Sequence, residues 1–334
     1  MKAPRFWYRP PGVASALLSP AAALWTAIAT RRQVRATPYR CGVPVICVGN
    51  LVAGGAGKTP VVRELVRRMA ARGPAAASLS RGHGGRLPGP LPVDPQHHIA
   101  ADVGDEPLLL SRHGPAWIGR DRADAARAMT LAGIGAIILD DGFQNPGLHK
   151  DLSLVVVDGG SGFGNGRVIP AGPLREPVAA GLARAQALVL MGDGAGAADA
   201  HAAAHGAGIP VLTASLRPDP VAARTLQGKR LLAFAGIGRP AKFFDTLRQI
   251  GAEPVETLSF ADHHPYSRGE ITELLARATA RGLLPVTTEK DAMRLPVDLR
   301  EAITILPVTV AFDEPAALDR LLDGLGGVRM NGQS

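Results

Sequence analysis

An α/β chain built on a doubly wound, mostly parallel sheet is what this sequence predicts, and three observations carry the prediction. Short apolar runs alternate with helix-like stretches through the first two thirds of the 334 residues. A glycine-rich segment joins the first strand-like run to an amphipathic stretch, and a second, shorter alternation follows a polar segment with Pro218 and Pro220. Strands that are apolar on both faces belong in a parallel sheet covered by helices, and their alternation with helices is the mark of the doubly wound sheet.

The chain starts with a basic, apolar arm, residues 1–40. Lys2, Arg5, Arg9, Arg31, Arg32, Arg35 and Arg40 all precede the first acidic residue, Glu64, so the net charge of +8 lies largely in this arm. They bracket the Ala- and Leu-rich run Val13 to Thr30, with Trp25 inside it and Phe6, Trp7 and Tyr8 before it. Basic and aromatic residues around a short apolar helix predict an amphipathic or apolar segment in the headgroup region of an anionic membrane. Three other readings compete: a cleaved export signal, a spanning helix, and an amphipathic helix docked on the protein's own core. A span needs about 20 apolar residues; this run is marginal, carries Pro20 and has basic charge on both sides.

The run Val43 to Val48 reads as the first strand, and Pro60 to Arg72 as the helix after it. Between them Gly54, Gly55, Ala56, Gly57, Lys58, Thr59 and Pro60 form a phosphate-binding loop. Glycines let backbone N–H groups converge, Lys58 sets a charge against the β- and γ-phosphates, Thr59 offers a hydroxyl to Mg²⁺, and the helix adds its positive end. The full pattern wants glycine at position 52, where Val52 stands, so Gly54 and Gly55 must make the turn. A nucleoside triphosphate with Mg²⁺ is the expected ligand, which argues against export of the chain.

Further buried strands are predicted at Ala76 to Leu79, Ala136 to Leu139, Leu152 to Val157, Ala187 to Met191 and Pro210 to Thr213, with helices at Asp121 to Ala132 and Ala195 to Gly208. These complete a nucleotide-binding domain over 41–213. Residues 214–228 are predicted to be an irregular linker. A smaller α/β domain over 229–328 follows, with strands at Leu231 to Ala235, Leu284 to Thr287 and Ile303 to Val310 and helices at Pro240 to Ile250 and Arg268 to Arg281. A cleft between two lobes suits a two-substrate enzyme.

Asp140 and Asp141 end the strand Ala136 to Leu139, the arrangement in which a carboxylate beside the phosphate loop holds Mg²⁺. Which of the two faces the metal stays open. Asp105, just before Glu106-Pro107-Leu108, reads on sequence alone as a helix cap. Cys41 and Cys47 lack metal-ligand or disulfide spacing, so a reduced compartment is expected.

Eight segments together carry a resemblance: Val48-Gly49-Asn50 with the loop to Pro60, Ser80 to Gly85, Gly104 to Pro107, Asp140 to Gln144, Pro170 to Glu176, Ala235 to Gly238, Ala261-Asp262-His263, and Thr287 to Ala292. In this order and register they resemble the lipid A 4'-kinase (tetraacyldisaccharide 4'-kinase) family, from the first strand to about residue 295, and the basic arm resembles that family's membrane-associating N-terminus. His83 stands where the family usually has Tyr.

The resemblance implies transfer of the γ-phosphate of ATP to the 4'-hydroxyl of a tetraacyldisaccharide 1-phosphate, giving lipid IVA at the cytoplasmic face of the bacterial inner membrane, with the enzyme peripheral or monotopic. It implies Asp105 as the carboxylate that receives the hydroxyl proton, His263 as its support, and Arg122 near the phosphates, although Arg120 lies two residues away. Arg175 and Glu176 are expected as loop braces or site residues, His263 and His264 could also be surface loop residues, and Thr287 to Asp291 is expected to serve the second lobe's fold or interface. A P-loop GTPase or metal-chaperone ATPase is the alternative. Its base-reading Asn/Thr-Lys-x-Asp motif is missing, since Asp291 in Glu289-Lys290-Asp291-Ala292 comes one place early. A nucleic-acid binder is set aside by 4% aromatic content and charge confined to one arm. No obligate protein partner is expected.

Overall fold

A computed structural model describes residues 4–325; Lys2 and the stretch 326–328, included in the domain boundaries above, lie outside the described residues. Val45, Ile46, Cys47 and Val48 are at most 2% exposed because β1 (Val45–Gly49) has a parallel neighbour on either side. These are β5 (Ala136–Asp140) and β6 (Leu152–Asp158), and β1 and β5 are in register from Val45 opposite Ile137 to Val48 opposite Asp140. The sheet extends one way through β2 (Ala76–Ser80), β4 (Ala116–Ile118) and the short β3 (Leu91–Pro92). It extends the other way through β7 (Ala187–Met191), β8 (Val211–Pro218) and β13 (Val308–Phe312). The chain leaves β1 for one half of this nine-stranded sheet and later returns to fill the other half, so the loop after β1 sits at the switch point where α/β sheets bind ligands.

A second, four-stranded parallel sheet has the order β10 (Glu253–Ser259), β9 (Arg230–Ala235), β11 (Leu284–Thr288), β12 (Thr304–Leu306).

Two expectations are corrected here. Residues 214–228 are no irregular linker: 214–218 continue β8, and Pro220–Leu226 is a helix whose cap, Asp219, accepts from Val221 and Ala222 N–H. This part of β8 is half exposed and pairs antiparallel with β13, so its side chains alternate between apolar and polar and read as loop. The expected strand Ile303 to Val310 is two strands in two sheets, divided at Pro307. The chain therefore returns to the larger sheet, and the helix Pro315–Asp323 meets α2 (Lys58–Ala70) and the turn after it through ion pairs of Asp319 with Arg68 of α2 (2.7 Å) and with Arg72 of the turn (2.8 Å). The lobes are also tied by Glu289, which accepts from Arg63 of α2 and faces His113, both at 3.0 Å.

The arm is α1 (Val13–Arg35), 23 residues long with Pro20 inside and only Ser15 and Ala22 buried. Val13, Leu17, Leu24, Trp25, Ile28 and Val34 face outward, so α1 is apolar around most of its circumference and the amphipathic form of the expectation does not hold. By length and composition it is long and apolar enough to cross a membrane. Among the described residues four polar contacts hold it to the body: Ser15 Oγ donates to Ala171 O (2.9 Å) and accepts from Asn165 Nδ2 (3.0 Å), Trp25 Nε1 donates to Arg175 O (3.1 Å) and Gln33 Nε2 to Gln144 O (3.1 Å).

Candidate active site

The loop from Asn50 to Gly57 turns tightly into α2. Gly57 takes φ 86° immediately before Lys58, a left-handed conformation in which a side chain would be strained. Lys58 and Thr59 thus open the helix at its positive end. The missing glycine at Val52 has a structural reason: Val52 forms a bridge with Leu174, Ala53 N–H donates to Pro173 O (2.8 Å), and Arg175 N–H donates to Leu51 O (2.7 Å). Extended backbone at 51–53 pairs with 173–175, and the turn falls to Gly54 and Gly55.

At the end of β5 the two aspartates part. Asp140 is buried, and its carboxyl is pushed up to about 7 by burial and the nearby Glu106, against the charge of Lys58. Asp141, at φ 54°, lies 3.6 Å from Lys58 Nζ and takes a two-pronged contact from Arg175, 2.8 and 3.1 Å. Burial pushes its pKa up, but Lys58 and Arg175 outweigh it and leave the carboxyl below the usual range. Positive φ outside glycine is uncommon and clusters at functional sites.

Burial distinguishes Arg120 from Arg122. Arg120 is exposed, whereas Arg122 is buried at the start of the helix Arg122–Leu131 with its charge felt by Asp140 and Asp141. One guanidinium nitrogen donates to Gly119 O, and Nε has no partner among the described residues. A buried donor left unpaired costs about 1–3 kcal/mol, so this one is suited to an incoming anion.

Across the cleft, Asp105 is the first residue of the helix Asp105–Ser111, and Gly104 before it has φ 92° with a hypothetical Cβ only 2.5 Å from His83 O. The cap reading of Asp105 does not hold. Its carboxylate makes no capping hydrogen bond into the helix beyond the Glu106 N–H (3.0 Å) and turns to His263 Nδ1 of the second lobe, 2.9 Å away, with Arg294 Nε at 3.4 Å. Burial raises its pKa, but the hydrogen bond to His263 and the charges of Lys290 and Arg294 hold it below the ordinary carboxylate value. The same hydrogen bond raises the His263 pKa, against burial and Lys290. His263 sits at φ 57° on the turn after β10.

Other expected residues divide cleanly. Glu176 is a buried brace, accepting from Gln144 Nε2 (3.1 Å) and Arg184 (2.9 Å). His264 pairs with Glu270 (2.9 Å) and stacks near Phe260, away from the cleft. Within 287–291, Asp291 is fully buried and accepts from Gly236 N–H, Tyr266 OH, Thr288 Oγ1 and Arg294, a role in the fold. His83 places its ring edge-on to His263, with centroids 6.4 Å apart. Sequence reasoning missed Lys290, which reaches Glu106 Oε1 (3.0 Å) and His263 Nε2 (3.2 Å), and it missed Asp158, to which both Arg239 and Lys242 of the second lobe donate. Lys290 lies within the segment Thr287 to Ala292, but strand-to-helix spacing does not say which residue turns toward a cleft. A hypothetical Cβ on Gly238 would lie 3.7 Å from Gly55 N, so the second lobe also closes over the glycine loop.

Comparison with known proteins adds to this geometry. A family model described as tetraacyldisaccharide-1-P 4'-kinase matches residues 14–326. The tetraacyldisaccharide 4'-kinases of Rhodospirillum centenum and Rhodospirillum rubrum are 62% and 51% identical to this chain, with 96% and 97% of it and 96% and 98% of those proteins covered. A crystal structure of LpxK from Aquifex aeolicus in complex with ATP superposes with a TM-score of 0.73 at 26% identity, covering 93% of this chain and 99% of that one.

Proposed function

The chain belongs to the tetraacyldisaccharide 4'-kinase family and is a kinase of lipid A biosynthesis, and from that premise we propose how its residues divide the work. The γ-phosphoryl group of ATP passes to the 4'-hydroxyl of a tetraacyldisaccharide 1-phosphate, giving lipid IVA. The contact between Asp105 and His263 across the two lobes, opposite the glycine loop, is the observation that carries this reading.

ATP lies with its β- and γ-phosphates on the N–H groups of Gly54 to Thr59 and against Lys58. Arg122 directs its unpaired guanidinium edge at the same charge. The residues at the end of β5 fit a Mg²⁺ ion: the buried Asp140 carboxyl lacks enough positive charge nearby to stay ionised at its ordinary pKa, and a divalent cation supplies it. Asp140 and the Thr59 hydroxyl would hold Mg²⁺, which when bound would neutralise phosphate charge and aid departure of ADP. Asp141, engaged by Lys58 and Arg175, keeps both cations aimed into the site. Asp105 takes the proton of the 4'-hydroxyl as its oxygen bonds to γ-phosphorus and the bond from γ-phosphorus to the bridging oxygen breaks, while His263 orients Asp105.

The experiment is transfer of ³²P from γ-labelled ATP to the disaccharide 1-phosphate, with and without Mg²⁺. Labelled lipid is expected only with Mg²⁺; nucleotide hydrolysis with no labelled lipid would return the chain to the class of switch ATPases. Asp140→Asn should lower kcat on the order of 10²-fold and raise the Mg²⁺ concentration at half-maximal rate. Should Asp141→Asn move that Mg²⁺ curve while Asp140→Asn leaves it in place, the metal belongs to Asp141.

The arm brings the enzyme to its acylated substrate at the cytoplasmic face of the inner membrane. Arg31, Arg32 and Arg35 are exposed at the carboxyl end of α1, and each cation near an anionic surface contributes about 1 kcal/mol. Replacing the three with Gln should weaken sedimentation with anionic vesicles by about 10²-fold at low salt, and less at high salt, with nucleotide binding retained. Unchanged vesicle binding would leave the membrane contact to the apolar face alone.

A further inference from the structure

We propose that Lys290 is a positioning residue for the phosphoryl transfer: its ammonium group donates to Nε2 of His263 and fixes the imidazole as the Nδ1–H tautomer that donates to Asp105. The inference rests on the reading of Asp105 as the group that takes the hydroxyl proton.

The geometry leaves one consistent set of protons. Lys290 Nζ lies 3.2 Å from His263 Nε2, and an ammonium group has donors and no acceptor, so Nε2 must offer its lone pair. On the other side of the ring, Asp105 Oδ2 lies 2.9 Å from Nδ1, and an ionised carboxylate only accepts, so Nδ1 must carry the hydrogen. This is the neutral imidazole, and Lys290 favours it against the pull of Asp105 toward the protonated ring. A protonated ring would turn an N–H toward the ammonium group and set two positive charges side by side.

Lys290 keeps its own charge in this place. Burial acts against it, but Glu106, Asp105 and Asp262 outweigh burial and hold its pKa above the ordinary lysine value. Among the described residues, the charged and titratable groups facing His263 are these: Asp105 and Glu106 come from the helix Asp105–Ser111, Asp262 from its own turn at 3.9 Å, Lys290 and Arg294 from the segment after β11, and the His83 ring from the opposite loop. The consequence falls on Asp105. A neutral donor orients the carboxylate without adding the imidazolium charge to those of Lys290 and Arg294, which already hold its pKa down.

The test uses the full-length protein. In ¹⁵N-histidine-labelled enzyme, with the His263 signals assigned by their loss in His263→Asn, the wild type should show the Nδ1–H tautomer. Lys290→Met should show the doubly protonated ring up to higher pH, and the acid limb of its kcat profile should move up by about one pH unit or more, because a positive charge opposing ring protonation is gone. KM for ATP should change little, and Lys290→Arg should restore much of the wild-type limb. A Lys290→Met variant with the wild-type tautomer and acid limb, beside an inactive Asp105→Asn, would overturn the proposal alone. Wild-type turnover of Asp105→Asn would overturn the base assignment and the proposal with it.

Discussion

Lys58→Ala is expected to lose about 10²- to 10³-fold in kcat while its melting temperature stays close to wild type. The catalytic cost follows from where the charge sits. Lys58 opens α2 at the end of a glycine turn, and a charge fixed there stabilises negative charge as it shifts onto the β–γ bridging oxygen. The structural cost is small because the one ion pair Lys58 makes among the described residues, 3.6 Å to Asp141, is backed up by the two-pronged contact from Arg175. Losing the pair should cost on the order of 1 kcal/mol or less. Turnover and thermal melting on one preparation check both halves; wild-type turnover would remove the phosphate-binding role from the glycine loop.

Asp105→Asn is expected to lose about 10²- to 10⁴-fold in kcat with little change in KM for ATP, because a positioned base acts on the acceptor hydroxyl. Asparagine keeps the shape and one acceptor for His263 while removing the charge. The loss should carry a pH signature in stability. Asp105 has a folded pKa below its unfolded value, so its charged form stabilises the fold above the unfolded pKa, and that contribution fades as pH falls through the folded one. The melting-temperature gap between wild type and Asp105→Asn should therefore be widest near neutrality and close below about pH 4. A variant that melts early yet turns over normally would make Asp105 a purely structural residue.

How much of this was legible in the chain depended on whether a residue's role is local. The glycine loop, the strand ending in Asp140 and the helix after Lys58 are contiguous, and their chemistry follows from the order of residue types. β8 beyond Thr213 and β10 were not legible, because strands covered on one side alternate polar and apolar residues as loops do. The choice of Arg122 over Arg120 came only from burial. The cap reading of Asp105 failed because a carboxylate at a helix start has two possible partners, and the nearer one in sequence was not the nearer one in space.

By itself the sequence determined the doubly wound class, the nucleotide loop, the basic apolar arm and, through eight segments in register, the family. Each is a property of runs of neighbouring residues, where periodicity and spacing carry the physics. Only the tertiary structure decided which groups meet across the lobes: Asp105 with His263, Lys290 with both His263 and Glu106, Asp158 with Arg239 and Lys242, and β13 with β8 in the larger sheet. Those pairs lie from 27 to more than 150 residues apart, and their contacts depend on how two sheets dock, a balance of burial and ion pairing that no local pattern records.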